Sequence, residues 1–242
     1  MRLLIQFKFL SVLLGLFLVI STSEPAKAES GWALTQRNDS MGDLYVYIDN
    51  KGMKWNIPKQ KIGFTTQAPD WKVSLFNDET KMFYETSLGD WQNKFSKMGK
   101  GQAAQLQNGG WQKGKVEKIA GLNCTKYVMT NNTQAAQAKG KRTLAAVRQA
   151  ACWLANDITM SPTLSDMFSK TYGLPATKFF PVRIAYLGGD GRPHLALDTF
   201  NSRPFNVPGG FFNRPQGYKP AKSETEVFMD EDTRQFLKDL SQ

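Results

Sequence analysis

His194 is the single histidine of the 242-residue chain, so any Ser-His-Asp or Cys-His scheme would have to use it. It stands beside a turn, in Gly191-Arg192-Pro193-His194, and no Gly-x-Ser-x-Gly elbow supplies it with a nucleophile. Metal ligands are equally scarce. One histidine and two distant cysteines, with no Asp/Glu cluster at ligand spacing, leave nothing for zinc. Asp230-Glu231-Asp232 is consecutive, so its side chains diverge, and it lacks the calcium-loop pattern. Gly188, Gly189 and Gly191 are followed by neither Lys-Ser/Thr nor a second glycine pair, which makes them turn residues rather than a phosphate loop. No nucleic-acid motif occurs. These absences point away from an enzyme, a metal or other cofactor, and a nucleic-acid partner.

Long apolar runs are missing too, with one exception. Phe9 to Ile20 is an apolar stretch of twelve, interrupted by Ser11 and Gly15. A bilayer-spanning helix needs about 20 such residues. Arg2 and Lys8 precede the run, and Ala26-Lys27-Ala28 supplies a small-x-small cleavage pattern. This is the layout of a secretory signal peptide over 1–28, with cleavage expected between Ala28 and Glu29. No cysteine follows the run, so a lipid anchor of the bacterial lipoprotein type is not expected. The expected product is an exported chain, soluble in the periplasm or outside the cell. In an oxidising compartment the only cysteines, Cys124 and Cys152, favour one disulfide, with two buried free thiols as the alternative.

Acidic residues are few where basic ones are many. Between Gln92 and Arg148 eleven Lys/Arg face Glu117 alone, within a chain of net charge +10. Residues 223–242 reverse the balance, with six acids against Arg234 and Lys238. Lys94, Lys97, Lys100, Lys113 and Lys115 are the candidates to contact an anionic membrane surface or an acidic polymer. A solvated face is the plainer reading of the same charges.

What is abundant is period-two alternation. Leu44, Val46 and Ile48 share one face of a strand, and Asp49 to Gly52 turns it into a second over Met53 to Ile57. Ile62, Phe64 and Thr66 alternate next, then Trp71, Val73 and Leu75, then Lys81 to Thr86. These runs describe an antiparallel meander with one buried face. Ser87 with Asp90 opens a helix to Met98, and residues 99–114 read as a Gly/Gln-rich loop with a short helix at Gln102 to Gln107. Strands are expected at Lys115 to Ile119, Leu122 to Thr130 and Arg148 to Ala155. The third rests on the cysteines: a hairpin turning in Asn131 to Lys141 would place Cys124 opposite Cys152, within disulfide reach. Ser161-Pro162 starts a second helix that Gly173 stops. A hairpin follows over Phe180 to Phe200, then an irregular segment over Arg203 to Pro220, a strand at Ser223 to Met229 and an acidic helix or tail over 230–242. Residues 29–42 are expected to be a flexible N-terminal segment before a single β domain at 43–229.

Aromatic residues recur along these strands, and two readings stay open. Trp55, Phe64, Trp71, Phe83 and Trp153 fill a core, or, on a sheet too open to fill itself, they line an apolar concavity with Val73 and Leu75.

The order Ala68-Pro69-Asp70-Trp71-Lys72-Val73, Lys115-Val116, Ile119-Ala120-Gly121-Leu122-Asn123-Cys124-Thr125-Lys126-Tyr127, Trp153-Leu154-Ala155, Gly173-Leu174-Pro175 and Pro215-Gln216-Gly217-Tyr218 resembles exported bacterial proteins of the LolA-like group. The resemblance covers about residues 43–219, and the basic Gly/Gln-rich insertion departs from the group's compact pattern. It implies a mainly β fold with a few helices: a curved antiparallel sheet or incomplete β-barrel, with helices packed on its concave side. It also implies a hydrophobic or lipidated partner, held by the apolar side chains of that concavity.

Overall fold

The protein is described by a computed structural model covering residues 29–39, 41–98, 106, 110–130, 147–188 and 191–229. The expected signal peptide, the Lys100 site, the turn at Asn131 to Lys141 and the tail from Asp230 lie outside these residues, as does all of the short helix at Gln102 to Gln107 but Leu106.

The fold is mainly β, as the alternation predicts. Its strands are β1 (Glu29–Asn38), β2 (Gly42–Ile48), β3 (Gly52–Ile57), β4 (Ile62–Gln67), β5 (Lys72–Asn77), β6 (Met82–Ser87), β7 (Gln112–Ile119), β8 (Leu122–Thr130), β9 (Val147–Thr159), β10 (Phe179–Gly188), β11 (Pro193–Val207) and β12 (Lys219–Pro220). They form one sheet in the order β12-β6-β5-β4-β3-β2-β1-β11-β10-β9-β8-β7. Two meanders, β1 to β6 and β7 to β11, therefore meet at the antiparallel pair β1–β11. The sheet is not closed into a barrel, since β7 and β12 stand at its two ends.

Among the described residues three α-helices accompany it: α1 (Leu88–Met98), α2 (Pro162–Tyr172) and α3 (Glu224–Phe228). Helix α1 follows β6 near one edge of the sheet, and the next strand, β7, stands at the other edge. Trp91 of α1 and Phe168 of α2 pack on the apolar face, against Phe64 and Trp55. Both helices begin as their sequences predict. Ser87 Oγ accepts from Asp90 N at 3.0 Å and donates to the Asp90 carboxylate at 2.7 Å. Ser161 Oγ accepts from Leu164 N at 3.2 Å, and Gly173 closes α2 with φ 66°.

Four expectations are corrected. The segment 29–42 is not a flexible leader: its first ten residues are β1, paired with β2 and β11. Its inward positions are Trp32, Leu34 and Gln36, and the glutamine hides the alternation. Gln36 is buried because its amide donates to Thr199 Oγ1 at 2.8 Å, a partner far along the chain.

The disulfide is absent. The unbroken β8–β9 register sets Cys124 opposite Ala155 and Tyr127 opposite Cys152. Three residues of offset put the thiols on opposite faces and displace them by about 10 Å along the strands, beyond disulfide reach. Both are buried free thiols.

Residues 224–228 are helical rather than extended, capped by Ser223 Oγ on Glu226 N at 3.3 Å. The irregular segment begins only after Val207, because β11 runs seven residues past Phe200 to stay paired with β1.

Candidate functional site

The concave face is built from alternate residues of β2 to β5. Met53, Trp55 and Ile57 of β3 face it, as do Ile62, Phe64 and Thr66 of β4 and Val73 and Leu75 of β5. Trp55 and Phe64 lie 5.3 Å apart, Trp91 of α1 covers Phe64 at 4.8 Å, and Phe168 of α2 meets Trp55 at 5.9 Å and Phe180 at 5.1 Å. Among the described residues, helix cover is incomplete toward one end. Ile57, Ile62, Leu75 and Tyr84 remain half-buried there, and the pairs Ile57–Ile62, Phe64–Leu75 and Leu75–Tyr84 make this rim continuous with the buried rings. Lys94 of α1 closes the margin, lying 5.5 Å over the Tyr84 ring and 3.1 Å from Glu224.

Among the described residues, two polar atoms on this face are buried with no hydrogen-bond partner, the Trp55 Nε1 donor and the Thr66 hydroxyl. They sit on adjacent strands, since Met53 pairs with Thr66 and Trp55 with Phe64. An unmet donor in an apolar layer costs about 1–3 kcal/mol, so a guest that accepts from it is favoured.

Trp55, Val73 and Leu75 are thus brought together. Trp71 stands just before β5 at φ 50°, half-buried, with its N–H donating to Gln67 O at 2.8 Å. Phe83 and Trp153 lie on the convex face. Phe83 pairs with Phe76, out of phase with Leu75–Tyr84, and carries Arg214 over its ring at 4.7 Å. Trp153 pairs with Lys126 and Arg183, which approach its ring at 4.9 and 5.7 Å.

The described lysines lie at two separate places. Lys94 lies over β6, whereas Lys113 and Lys115 are exposed on β7 at the other end of the sheet, Lys115 being 3.7 Å from Glu117. The side chain of Lys97 lies outside the described residues.

Sequence reasoning passed over a second concavity, on the convex side. Arg37, Asp198, Pro193, His194, Leu195 and Phe200 line a cleft of about 660 Å³. Two β-bulges on β11 shape it, and no sequence signal marked them. Over β3 to β6 and the Tyr47 end of β2, residues 208–220 lie across the convex face. Phe211 packs on Tyr47 at 5.1 Å, Tyr218 on Phe76 at 6.0 Å, and Thr65 Oγ1 donates to Phe212 O at 2.6 Å. Beneath this strap Lys54 lies between the Phe76 and Phe211 rings, and burial lowers its pKa.

No protein-family model and no curated protein matches the chain. Solved structures similar to it include an uncharacterized conserved protein from Thermus thermophilus, at 9% identity and a TM-score of 0.36, covering 79% of this chain and 89% of that one. The Mycobacterium tuberculosis lipoprotein LppX aligns at 18% identity and a TM-score of 0.30, over 74% of this chain and 90% of its own. A LolA superfamily protein from Nitrosomonas europaea aligns at 10% and 0.24, over 78% and 91%. The LolA-like resemblance read from the residues recurs among these structures.

Proposed function

We propose that the chain is an exported binding protein of the cell envelope that holds a lipid, acyl chain or lipidated partner against the concave face, beneath α1. The observation that supports this reading is the half-buried rim Ile57-Ile62-Leu75-Tyr84, which leads without interruption to Trp55 and its unmet Nε1 donor. Apolar burial at about 25 cal/mol per Å² provides the attraction, and the indole N–H selects a guest with an acceptor near one end. Lys113 and Lys115, exposed on the edge strand, are the contact for anionic headgroups or an acidic polymer.

The test is binding of a fluorescent fatty acid by purified protein, alongside native mass spectrometry for a co-purifying lipid. Leu75→Lys should abolish probe binding, because a charge would then sit in the apolar rim. Trp55→Phe keeps the packing and removes the donor, and should weaken the probe about tenfold. Absence of both a co-purified lipid and probe binding would remove the carrier reading. The second reading, an envelope interaction module, is favoured by the exposed apolar residues of the convex cleft, Leu195 and Phe200.

A further inference from the structure

Four charged side chains stand in one line across the convex face, one from each of four neighbouring strands. Direct cross-strand pairs run Asp43–Arg37, Arg37–Asp198 and Asp198–Arg183, so the line reads acid, base, acid, base. Arg37 Nε and Nη2 donate to the two carboxylate oxygens of Asp43 at 2.7 and 3.2 Å. Arg183 Nε donates to Asp198 at 2.6 Å. Three interstrand steps of about 4.8 Å make the line about 14 Å long.

A line in this order is complementary to itself reversed. Place a two-fold axis between two facing copies, parallel to the strands, over the midpoint of Arg37 and Asp198. Each Asp43 then opposes Arg183 of the second copy, and each Arg37 opposes Asp198 of the second copy. No like charges meet. The internal pairs need not break, because a guanidinium has five donors and a carboxylate about four acceptor sites.

Apolar area lies beside the charges. On β11 the register slips twice: Ile184 pairs with Leu197 but Ala185 with Leu195, and Gln36 pairs with Thr199 but Thr35 with Asn201. The first bulge moves Leu195 off the inner face that Leu197 occupies, and the second leaves Phe200 as the unpaired extra residue. Leu195 is 45% and Phe200 54% exposed, flanking the line in the 660 Å³ cleft, and Tyr45 on β2 is 46% exposed. Phe200 stands about half an interstrand step from the axis, so the rings of two copies would meet across it.

We infer that this convex face is a two-fold interface on which a second copy of the chain docks. Apolar rings supply the buried area and the alternating charges fix the orientation. This inference is independent of what the concave face binds.

Sedimentation of the purified chain across about 1–100 μM, with circular dichroism as the folding control, tests it in three arms. The wild type should reach twice the chain mass, and about 1 M salt should weaken it, since the screening length there is about 3 Å. Arg37→Asp sets acid against acid, and Asp198→Arg sets base against base. Each variant alone should self-associate more than about tenfold more weakly. Mixed in equal amounts, the two variants again oppose unlike charges at all four positions, and the heterodimer should form with wild-type affinity. Phe200→Asp should be folded and monomeric.

A wild type that stays monomeric at 100 μM leaves the cleft to some other partner and overturns the inference. So does a dimer that survives the three substitutions, or a mixture that fails to recover. Rescue by mixing is an outcome that damage to the fold of either variant cannot produce.

Discussion

Glu117 of β7 reaches past β8 to accept the indole hydrogen of Trp153 on β9, with Nε1 and Oε2 2.9 Å apart. Residues on non-adjacent strands are tied by this one bond, and the indole is flanked by Lys126 and Arg183. The bond, with Lys126 and Lys115 adding to it, holds the Glu117 carboxyl below its ordinary 4.5. A depressed folded-state value contributes stability above the unfolded one and loses it as pH falls through the folded one. Trp153→Phe should therefore move the Glu117 midpoint up toward 4.5 in a carbon-13 NMR titration. The variant should also lose less stability than the wild type on acidification below about pH 4.5. An unmoved midpoint would show that the bond does not set the titration.

The thiols offer a simple readout. Burial pushes Cys124 up to about 11 and Cys152 up to about 12, so neither is a thiolate near neutral pH. Native protein at pH 8 should resist a thiol-exchange reagent, and denatured, unreduced protein should release two equivalents. Release of none would mean a disulfide and a register different from Cys124–Ala155.

Gly63 on β4 is a packing requirement. The ring of Phe76 lies across it, so a Cβ built there would run into that ring. Gly63→Ala should cost about 1–3 kcal/mol in urea unfolding, against the small gain that the same change brings in an open strand. Phe76→Leu added to it should recover part of the loss. If Gly63→Ala is neutral, Phe76 does not rest on this glycine.

Ser161 sets the start of α2, the helix that carries Phe168 to Trp55. Ser161→Ala removes the acceptor for Leu164 N and should lower stability by about 1 kcal/mol. Ser161→Asp should keep it. Equal loss in both variants would assign the effect to something other than the cap.

Elements whose signals are local were legible. Ser87 with Asp90, Ser161-Pro162 and Gly173 mark α1 and α2, and Leu122–Thr130 forms as expected. What sequence could not supply was partners far along the chain. Gln36 looks like a polar interruption until Thr199 is placed beside it. The cysteine spacing looked like a symmetric hairpin, yet the pairing is offset by three residues. Trp55, Val73 and Leu75 could be assigned to one face because β3, β4 and β5 follow one another in sequence and pair in regular register. Trp153 is buried, as a core reading expects, but its cross-strand neighbours Lys126 and Arg183 put it on the outer side of the sheet, which the sequence alone does not show. Bulges that expose Leu195 and Phe200 depend on how β11 meets two other strands at once, which no single segment encodes.

The seam between the two meanders also governs when the sheet can form. Glu29 pairs with Val207, and Asn38 with Leu197, so β1 waits for a strand nearly the whole described chain away. Until β11 arrives, β1 has only β2 beside it, and its other edge offers a row of open backbone groups. Non-local closure of this kind is slow, because the chain entropy is spent before the contacts return it. A sheet built this way is exposed to wrong strand partners until its seam closes, and the buried Gln36–Thr199 bond there gives the correct one a mark that apolar strands lack.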